Sequence, residues 1–203
     1  MTGEDVATFE RCIAVGGVAL FPADTVYGLA TEPDSREGVD RLYRLKGRPP
    51  DRPAAVMFFD RDLALETLPG LPPKTEAAAK RLLPGGVTLL LPNEAHRYPL
   101  ACEPNKGMLG LRVPSLTGAL APLQAMRWPV LQSSANRSGE ADAKRVGEVD
   151  ERIRAGVDLI LDAGELPGTP STVIDLTGYH EDGRFQIVRE GAVSAEAIRD
   201  ALG

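Results

Sequence analysis

The segment Val18-Ala-Leu-Phe-Pro-Ala-Asp-Thr-Val-Tyr-Gly-Leu29 passes from an apolar run to a polar cluster within twelve residues. Its first four residues, Val18–Phe21, predict a short buried strand, which ends at the proline because proline cannot donate to a sheet ladder. Asp24, Thr25 and Tyr27 then follow the strand directly. Because ligands of α/β sheets bind beyond strand ends, this cluster is a candidate binding site. The alternative is an ordinary turn in which the Asp24 carboxylate bonds to nearby backbone.

Apolar runs of strand length alternate with helical periods through the rest of the chain. Strands are predicted at 18–21, 54–59, 87–91, 108–113, 129–131, 157–161, 172–176 and 185–188. Helices are predicted at 5–15, about 35–45, 75–83, about 117–126, about 146–154 and 195–202. This alternation predicts an α/β fold in which helices cover a sheet. The last two strands flank Gly178–Gly183 as in a hairpin, so the sheet is predicted to be mixed.

Composition places the chain among ordinary globular proteins. It has 203 residues, of which 43% are hydrophobic and 26% charged. Without a repeat or a linker, one domain spanning 1–203 is expected. The two cysteines, Cys12 and Cys102, are too few for a disulfide scaffold or a cysteine zinc site and fit a reducing compartment. No run reaches the roughly 18 apolar residues of a membrane span, and the first residues are acidic rather than basic. We therefore expect a cytoplasmic protein.

The charge of the chain is unevenly distributed. Its net charge is −6, from 23 basic and 29 acidic residues, which excludes a wholly basic nucleic-acid coat. Residues 1–39 contain seven acids and two bases, a net charge of −5, whereas residues 40–52 contain five bases and two acids, a net charge of +3. The negative total therefore coexists with a small cationic segment that suits an anionic ligand.

Several common catalytic motifs are absent. The chain has no P-loop sequence, no G-x-G-x-x-G dinucleotide fingerprint and no G-x-S-x-G nucleophile elbow. The two histidines, His96 and His180, lie in predicted loops without a metal-ligand partner four residues away, so we expect them at the surface. Classical hydrolase triads and zinc hydrolysis are therefore poor hypotheses.

The cationic segment contains the stretch Lys46-Gly-Arg48-Pro-Pro-Asp-Arg52. Arginine forks match phosphate oxygens and lysine adds a point charge, while the prolines stiffen the loop that carries them. The alternative is a solvated helix C-terminus, where cations interact favourably with the helix dipole. That alternative explains Arg41 and Arg44 better than Lys46 and Arg48, because Gly47 and the prolines prevent the helix from continuing.

Four further polar clusters lie at predicted strand ends. They are Pro84-Gly-Gly-Val-Thr88, Gly110-Leu-Arg112-Val-Pro114, Ser133-Ser-Ala-Asn-Arg-Ser-Gly139 and Ser171-Thr-Val-Ile-Asp175. Arginine within an apolar strand is costly unless paired, so Arg112 is either half of a buried ion pair or a binder of a substrate carboxylate. The Ser/Asn/Gly cluster either offers donors to a ligand or is an ordinary turn.

In this order, the clusters resemble the YrdC/TsaC family, the threonylcarbamoyl-AMP synthases, in its single-domain form. The matching residues run from about 10 to 191 and comprise Asp24-Thr-Val-Tyr-Gly-Leu29, Lys46-Gly-Arg-Pro49, Gly110-Leu-Arg-Val-Pro114, Ser134-Ala-Asn-Arg-Ser-Gly139 and Ser171-Thr-Val-Ile-Asp175. The resemblance implies a twisted, mixed α/β sheet flanked by helices around a concave, positively charged cavity. Ala23 and Met57 depart from the residues that the family usually has beside its amino-acid pocket.

The resemblance also implies a reaction. A nucleotidyltransferase of this family converts L-threonine, bicarbonate or CO2, and ATP into threonylcarbamoyl-AMP and pyrophosphate. The product supplies the t6A modification at position 37 of transfer RNAs through a separate transferase complex. An alternative is a double-stranded RNA- or tRNA-binding module of the same fold, although the net charge of −6 counts against it. A third reading, a domain serving another carbamoyl acceptor, is disfavoured because no partner domain is present.

Site residues follow from the same resemblance. The implied catalytic residues are Lys46 and Arg48. The implied ATP contacts are Lys46, Arg48, Arg52, Thr88, Ser134, Asn136 and Arg189. The implied threonine contacts are Thr25, Arg112 and Ser171. No dedicated metal ligands are expected, and Mg²⁺ would be carried with the triphosphate.

Overall fold

The computed structural model describes all of residues 1–203. Its strands are β1 Ala19–Pro22, β2 Tyr27–Thr31, β3 Ala55–Met57, β4 Val87–Pro92, β5 Met108–Arg112, β6 Val130–Ser134, β7 Leu159–Ile160, β8 Thr172–Asp175 and β9 Gln186–Arg189. Its α-helices are α1 Gly3–Ala14, α2 Arg36–Lys46, α3 Arg61–Glu66, α4 Pro73–Leu82, α5 Pro99–Cys102, α6 Glu151–Gly156, α7 Tyr179–Asp182 and α8 Ala195–Leu202. Two further segments, Gly118–Ala125 and Val146–Glu148, are 3₁₀ helices. None of the helices combines the length and the apolar character needed to cross a membrane.

All nine strands belong to one sheet, in the order β7-β1-β2-β6-β3-β5-β4-β8-β9. The pairs β1/β7, β3/β5 and β4/β8 are parallel, and the other five pairs are antiparallel. The predicted mixed α/β sheet is therefore confirmed. The predicted hairpin is also present, with Ile174 opposite Ile187, but the short helix α7 lies in its connection.

Strand β2 has no counterpart in the sequence prediction, which assigned no helix or strand to residues 27–31. All five of its residues are buried, because β1 and β6 flank it and both of its faces are covered. A strand buried on both faces shows no alternation of apolar and polar residues, so periodicity does not reveal it. Gly28 suits this position, since an added Cβ would lie 3.1 Å from the Phe21 ring.

Two predicted helices differ in detail. The predicted helix at 117–126 is a 3₁₀ helix that contains Pro122, and proline supplies no N–H for a helical hydrogen bond. The predicted helix at 146–154 is divided into a 3₁₀ turn and α6, whose N-cap Asp150 accepts a hydrogen bond from the Arg152 N–H at 2.7 Å. The short helices α3, α5 and α7 were not predicted, because four to six residues carry too little periodicity.

Helix α2 contains the first part of the cationic segment, residues 40–46, and its C-terminus lies against the sheet. Ser35 caps its N-terminus by accepting from the Gly38 N–H at 3.1 Å. Gly47 ends it in the left-handed conformation at φ 60°, a position that favours glycine. The last helical residue, Lys46, therefore faces the protein interior, where it is only 2% exposed, and the chain turns immediately into the loop that carries Arg48.

One face of the sheet is concave at its centre. The register places Gln132, Ala55, Gly110 and Leu90 in one row across β6, β3, β5 and β4. The two central positions of this row have almost no side chain, and a Cβ added to Gly110 would lie 3.4 Å from Ala55 Cα. The small residues leave a depression between the larger neighbours, and this depression is the floor of the cavity described next.

Candidate active site

A cavity of about 280 Å³ opens on this face of the sheet. Three arginines line it, from the loop after α2, from β5 and from β9, and no acidic residue does. Six of the ten site residues implied by the sequence lie on its wall: Arg48, Thr88, Arg112, Ser134, Ser171 and Arg189. The other four lie outside the wall: Thr25, Lys46, Arg52 and Asn136. The fold thus gathers residues separated by up to 141 positions into one cationic cavity.

The loop after α2 presents Arg48 at the cavity mouth. Its guanidinium donates to the Pro53 carbonyl at 2.6 Å and to the Arg52 carbonyl at 3.3 Å, and it lies 5.7 Å from the centre of the Tyr43 ring. The Arg52 side chain is exposed and takes no part in these contacts. Its carbonyl also accepts from the Tyr43 hydroxyl at 2.8 Å, so the backbone of Arg52 holds the loop rather than its side chain.

Lys46 stands behind the wall. Its ammonium donates to the Ser134 carbonyl, to the Asn136 carbonyl at 2.8 Å and to Asn136 Oδ1 at 2.9 Å. Burial, reinforced by the nearby Arg48 cation and opposed by Asp142, lowers the pKa of Lys46 to about 8. No acidic side chain forms a salt bridge with it, so its protons are satisfied by neutral oxygens alone.

The loop after β6 carries Ser134 on the wall and Asn136 behind it. The Ser134 hydroxyl donates to Asn136 Oδ1 at 2.6 Å, and Asn136 Nδ2 donates to the Glu140 carbonyl at 2.6 Å. The Asn136 side chain therefore connects the lysine, the serine and the loop backbone. Most of its hydrogen-bonding capacity is used within the protein.

Thr88, Ser171 and Arg189 form a polar chain on the opposite wall. The hydroxyls of Thr88 and Ser171 lie 2.8 Å apart. Arg189 Nη2 donates to the Ser171 carbonyl at 2.7 Å and to its hydroxyl at 3.3 Å. Burial lowers the pKa of Arg189, and the nearby Arg112 cation acts in the same direction against the attraction of Asp142. These contacts hold the guanidinium beside two hydroxyls that can each reorient toward a ligand.

Arg112 forms a buried ion pair with Asp24, which is one of the two roles that its sequence context left open. The second Nη2 proton goes to the Thr25 hydroxyl at 2.6 Å. The other Asp24 oxygen accepts from the Ser115 N–H at 2.9 Å. Nε is buried without a partner and Nη1 has no protein acceptor, although the residue lines the cavity. Because both Nη2 protons are occupied, Nε and Nη1 are the donors that remain for a substrate carboxylate.

Two residues of the site lay outside the residue assignments made from sequence. Asp24 is the counter-ion of Arg112, a pairing between residues 88 positions apart that no local pattern predicts. Gln132 lines the cavity, and its carboxamide forms no hydrogen bond to the protein. Its position two residues before Ser134 on β6 places both side chains on one face, so strand alternation could have identified it. Of the two departures from the family pattern, Ala23 lines the cavity, whereas Met57 is fully buried in the core.

The donor set does not fit a resident metal ion. The structure contains no group of three or more His, Cys, Asp or Glu side chains that could hold one. Both hard-cation and zinc sites require such oxygen, nitrogen or sulfur ligands from the protein. The cavity wall is instead lined with cationic and hydroxyl groups, which suit an anion.

The sequence matches a known family and two named relatives. Residues 11–191 match the sequence model of the Sua5/YciO/YrdC family, which carries the description telomere recombination. The chain is 30% identical over 192 residues to the threonylcarbamoyl-AMP synthase of Pyrococcus abyssi, covering 94% of this chain and 55% of that protein. It is 31% identical over 181 residues to the uncharacterized protein YciO of Escherichia coli, covering 87% of this chain and 84% of that protein.

Solved structures share the fold along almost the whole chain. Sua5 of P. abyssi, complexed with L-threonine, has a TM-score of 0.83 at 27% identity and covers 100% of this chain and 58% of that one. E. coli YciO has a TM-score of 0.82 at 26% identity, and the match covers 97% of this chain and 94% of YciO. This chain spans about half the length of the curated synthases of P. abyssi and Bacillus subtilis, 55% and 53%. The sequence match and the shared sheet confirm the predicted resemblance, and the chain belongs to the Sua5/YciO/YrdC family.

Proposed function

We propose that this chain is an L-threonylcarbamoyladenylate synthase, a nucleotidyltransferase that forms threonylcarbamoyl-AMP and pyrophosphate from L-threonine, CO2 or bicarbonate, and ATP. The observation that carries the proposal is the cavity lined by three arginines and no acidic side chain. An anionic nucleophile must approach an anionic phosphate in this reaction, and preorganised cations reduce their repulsion. A relative with 30% identity is named for this activity, and a relative with the same fold binds L-threonine.

The reaction has two chemical steps. The threonine amine adds to CO2 and loses a proton, which gives a carbamate anion. A carbamate oxygen then bonds to the α-phosphorus of ATP while the bond from that phosphorus to the bridging oxygen breaks, and pyrophosphate leaves. No side chain on the wall is placed as a strong base, so water or a phosphate oxygen accepts the amine proton. The acceleration then comes from positioning and fixed charge.

The residues on the wall divide between the two substrates. Arg48, Thr88, Ser134 and Arg189 would contact the nucleotide, and the Arg48 and Arg189 guanidinium groups would face its phosphates. Arg112 and Ser171 would contact threonine. Thr25 would support this end indirectly, since its hydroxyl binds Arg112. Arg52 would act through its carbonyl, which holds the Arg48 loop.

The remaining components are carried by the substrates or lie downstream. Mg²⁺ would enter with the triphosphate, as it does in many nucleotide enzymes, because the structure has no cluster of His, Cys, Asp or Glu side chains to hold it. The adenylate would then pass to the transferase complex that modifies position 37 of transfer RNA. Residues 1–203 would form one catalytic domain.

The RNA-binding alternative is not favoured. A-form RNA is recognised along an extended surface by contacts to its phosphates and 2′-hydroxyls, with steep salt dependence. Arg48, Arg112 and Arg189 converge instead on a cavity of about 280 Å³, which suits a small anionic ligand. Tight tRNA binding without any ATP chemistry would reverse this ranking.

The proposal is tested by incubating the purified chain with ATP, bicarbonate and L-threonine. Pyrophosphate release that depends on threonine, with mass-spectrometric detection of the threonylcarbamoyl adenylate, is the expected result. L-alanine is the control amino acid, because it lacks the hydroxyl that Ser171 would recognise. Pyrophosphate release that is indifferent to threonine would reject the assignment.

A further inference from the structure

Lys46 binds the loop at residues 134–138 from the side that faces away from the cavity. Three hydrogen bonds leave the lysine ammonium for Ser134 and Asn136, and the Lys46 carbonyl accepts from the Ser138 N–H at 2.9 Å. An ammonium has three protons, so none remains for a substrate. Lys46 is also 2% exposed and does not lie on the cavity wall.

The hydrogen bonds from Lys46 determine which way the backbone N–H groups of the loop point. In a planar trans peptide the carbonyl and the following N–H point in opposite directions. Because the Asn136 carbonyl points at Lys46, the Arg137 N–H points away from it, and no protein acceptor binds it. The same relation at the Ser134 carbonyl directs the Ala135 N–H to the Tyr27 carbonyl at 2.8 Å, which anchors the loop to β2.

The hydrogen bonds from Lys46 also orient the Ser134 hydroxyl. Asn136 Oδ1 accepts from Lys46 at 2.9 Å and from Ser134 Oγ at 2.6 Å. With its proton committed to Asn136, Ser134 presents oxygen lone pairs to the cavity rather than a donor. Such an oxygen suits a ribose hydroxyl or a metal-bound water, whereas the free Arg137 N–H suits a phosphate.

We propose that Lys46 is a positioning residue, which acts on the nucleotide through the 134–138 loop and does not touch the phosphates. Its ammonium holds the loop in the shape that exposes the Arg137 N–H and the Ser134 lone pairs. The inference rests on the proposed function only in taking ATP as the ligand. The family resemblance implied that Lys46 contacts the phosphates directly. In this arrangement the lysine instead supports the loop that would bind them.

A double-mutant cycle separates the two roles, with ATP affinity measured by titration calorimetry in the absence of threonine. If Lys46 acts through Asn136, then Lys46→Met and Asn136→Ala each weaken ATP binding roughly tenfold, and the double variant is within about threefold of the weaker single variant. If Lys46 binds phosphate independently, the two effects multiply to roughly a hundredfold, which overturns the inference. Lys80→Met is the matched control, since that lysine is exposed on α4 and paired with Glu76.

A second measurement needs no variant and therefore does not depend on how the variants fold. Arg48 and Asp142 are the charged groups that act on the lysine, and its pKa of about 8 falls within an accessible range. Above that pH the neutral amine supports two of the three hydrogen bonds, so the wild-type ATP affinity falls between pH 7 and 9. A constant affinity across this range overturns the inference. A wild-type chain that fails to bind ATP at any pH rejects the proposed function as well.

Discussion

Two buried cations, Lys46 behind the cavity wall and Arg112 on it, are held in different ways. At the end near β6, the Lys46 ammonium is surrounded by neutral oxygens and has no salt-bridge partner. At the end near β5, the Arg112 guanidinium is paired with the Asp24 carboxylate, and both side chains are less than a tenth exposed. An uncompensated cation attracts a polyanion, whereas a neutral pair adds little net charge and suits a zwitterionic amino acid. The presence of a counter-ion at Arg112 and its absence at Lys46 therefore fit the different charges of the two proposed substrates, ATP and threonine.

The largest expected effect comes from breaking the ion pair between Arg112 and Asp24. Asp24→Ala leaves the Arg112 charge buried without a partner, so we expect the free energy of unfolding to fall by about 3–5 kcal/mol. Urea denaturation measures this loss. The double variant Asp24→Ala/Arg112→Met removes both charges and should recover much of the stability. Equal stabilities of Asp24→Ala and the wild type would mean that the ion pair is not formed in solution.

The next effect concerns Arg48, the half-buried cation at the mouth of the cavity. Arg48→Ala removes a fixed charge from the cavity mouth, and we expect a loss of roughly 2–4 kcal/mol of transition-state stabilisation. It is measured as kcat/KM for ATP in the pyrophosphate assay. Arg44→Ala, in the exposed part of α2, is the control and should retain wild-type activity. Activity of Arg48→Ala within twofold of the wild type would place the triphosphate elsewhere.

A third prediction addresses the floor that separates the two ends. Gly110→Leu places a side chain in the depression beside Ala55, where an added Cβ already lies 3.4 Å from the Ala55 Cα. We expect ligand binding to weaken by roughly tenfold or more, with a smaller loss of stability because the side chain points into the cavity. Gly147→Ala is the matched control, since nothing lies within 4 Å of its added Cβ. Unchanged KM values for both substrates would show that they do not use this floor.

The smallest expected effect is the pH dependence of the free energy of unfolding that comes from Lys46, the buried cation without a salt-bridge partner. The folded protein lowers the pKa of Lys46 to about 8, below the value near 10.5 of an unfolded chain. Between these values the unfolded state binds the additional proton, so the free energy of unfolding rises with pH, by at most about 1.4 kcal/mol per unit. Comparing urea denaturation of the wild type and Lys46→Met at pH 7 and 8.5 isolates this contribution. An equal pH dependence in both proteins would assign it to other groups.

A side chain's position in the site could be predicted from the sequence when its partners are near it in the chain, but not when they are distant. Arg48 and Ser134 follow local signals, a glycine-terminated helix and the end of a strand, and both lie on the cavity wall. Lys46 and Asn136 carry equally clear signals but lie behind the wall. Nothing near Lys46 in the chain reveals that its acceptors are 88 and 90 residues away. Residue type therefore identified segments that border the cavity, but not which of their side chains line its wall.

Sequence alone establishes the α/β class, the mixed sheet and the order of the polar clusters, because hydrophobic period, glycine and proline act over a few residues. It does not reveal β2, whose burial on both faces removes the alternation that marks a strand. Only the tertiary structure shows that Asp24 compensates Arg112 and that Lys46 is left without a counter-charge. These facts depend on strand order and register, which bring distant residues into contact, and burial then makes each pairing or its absence energetically important.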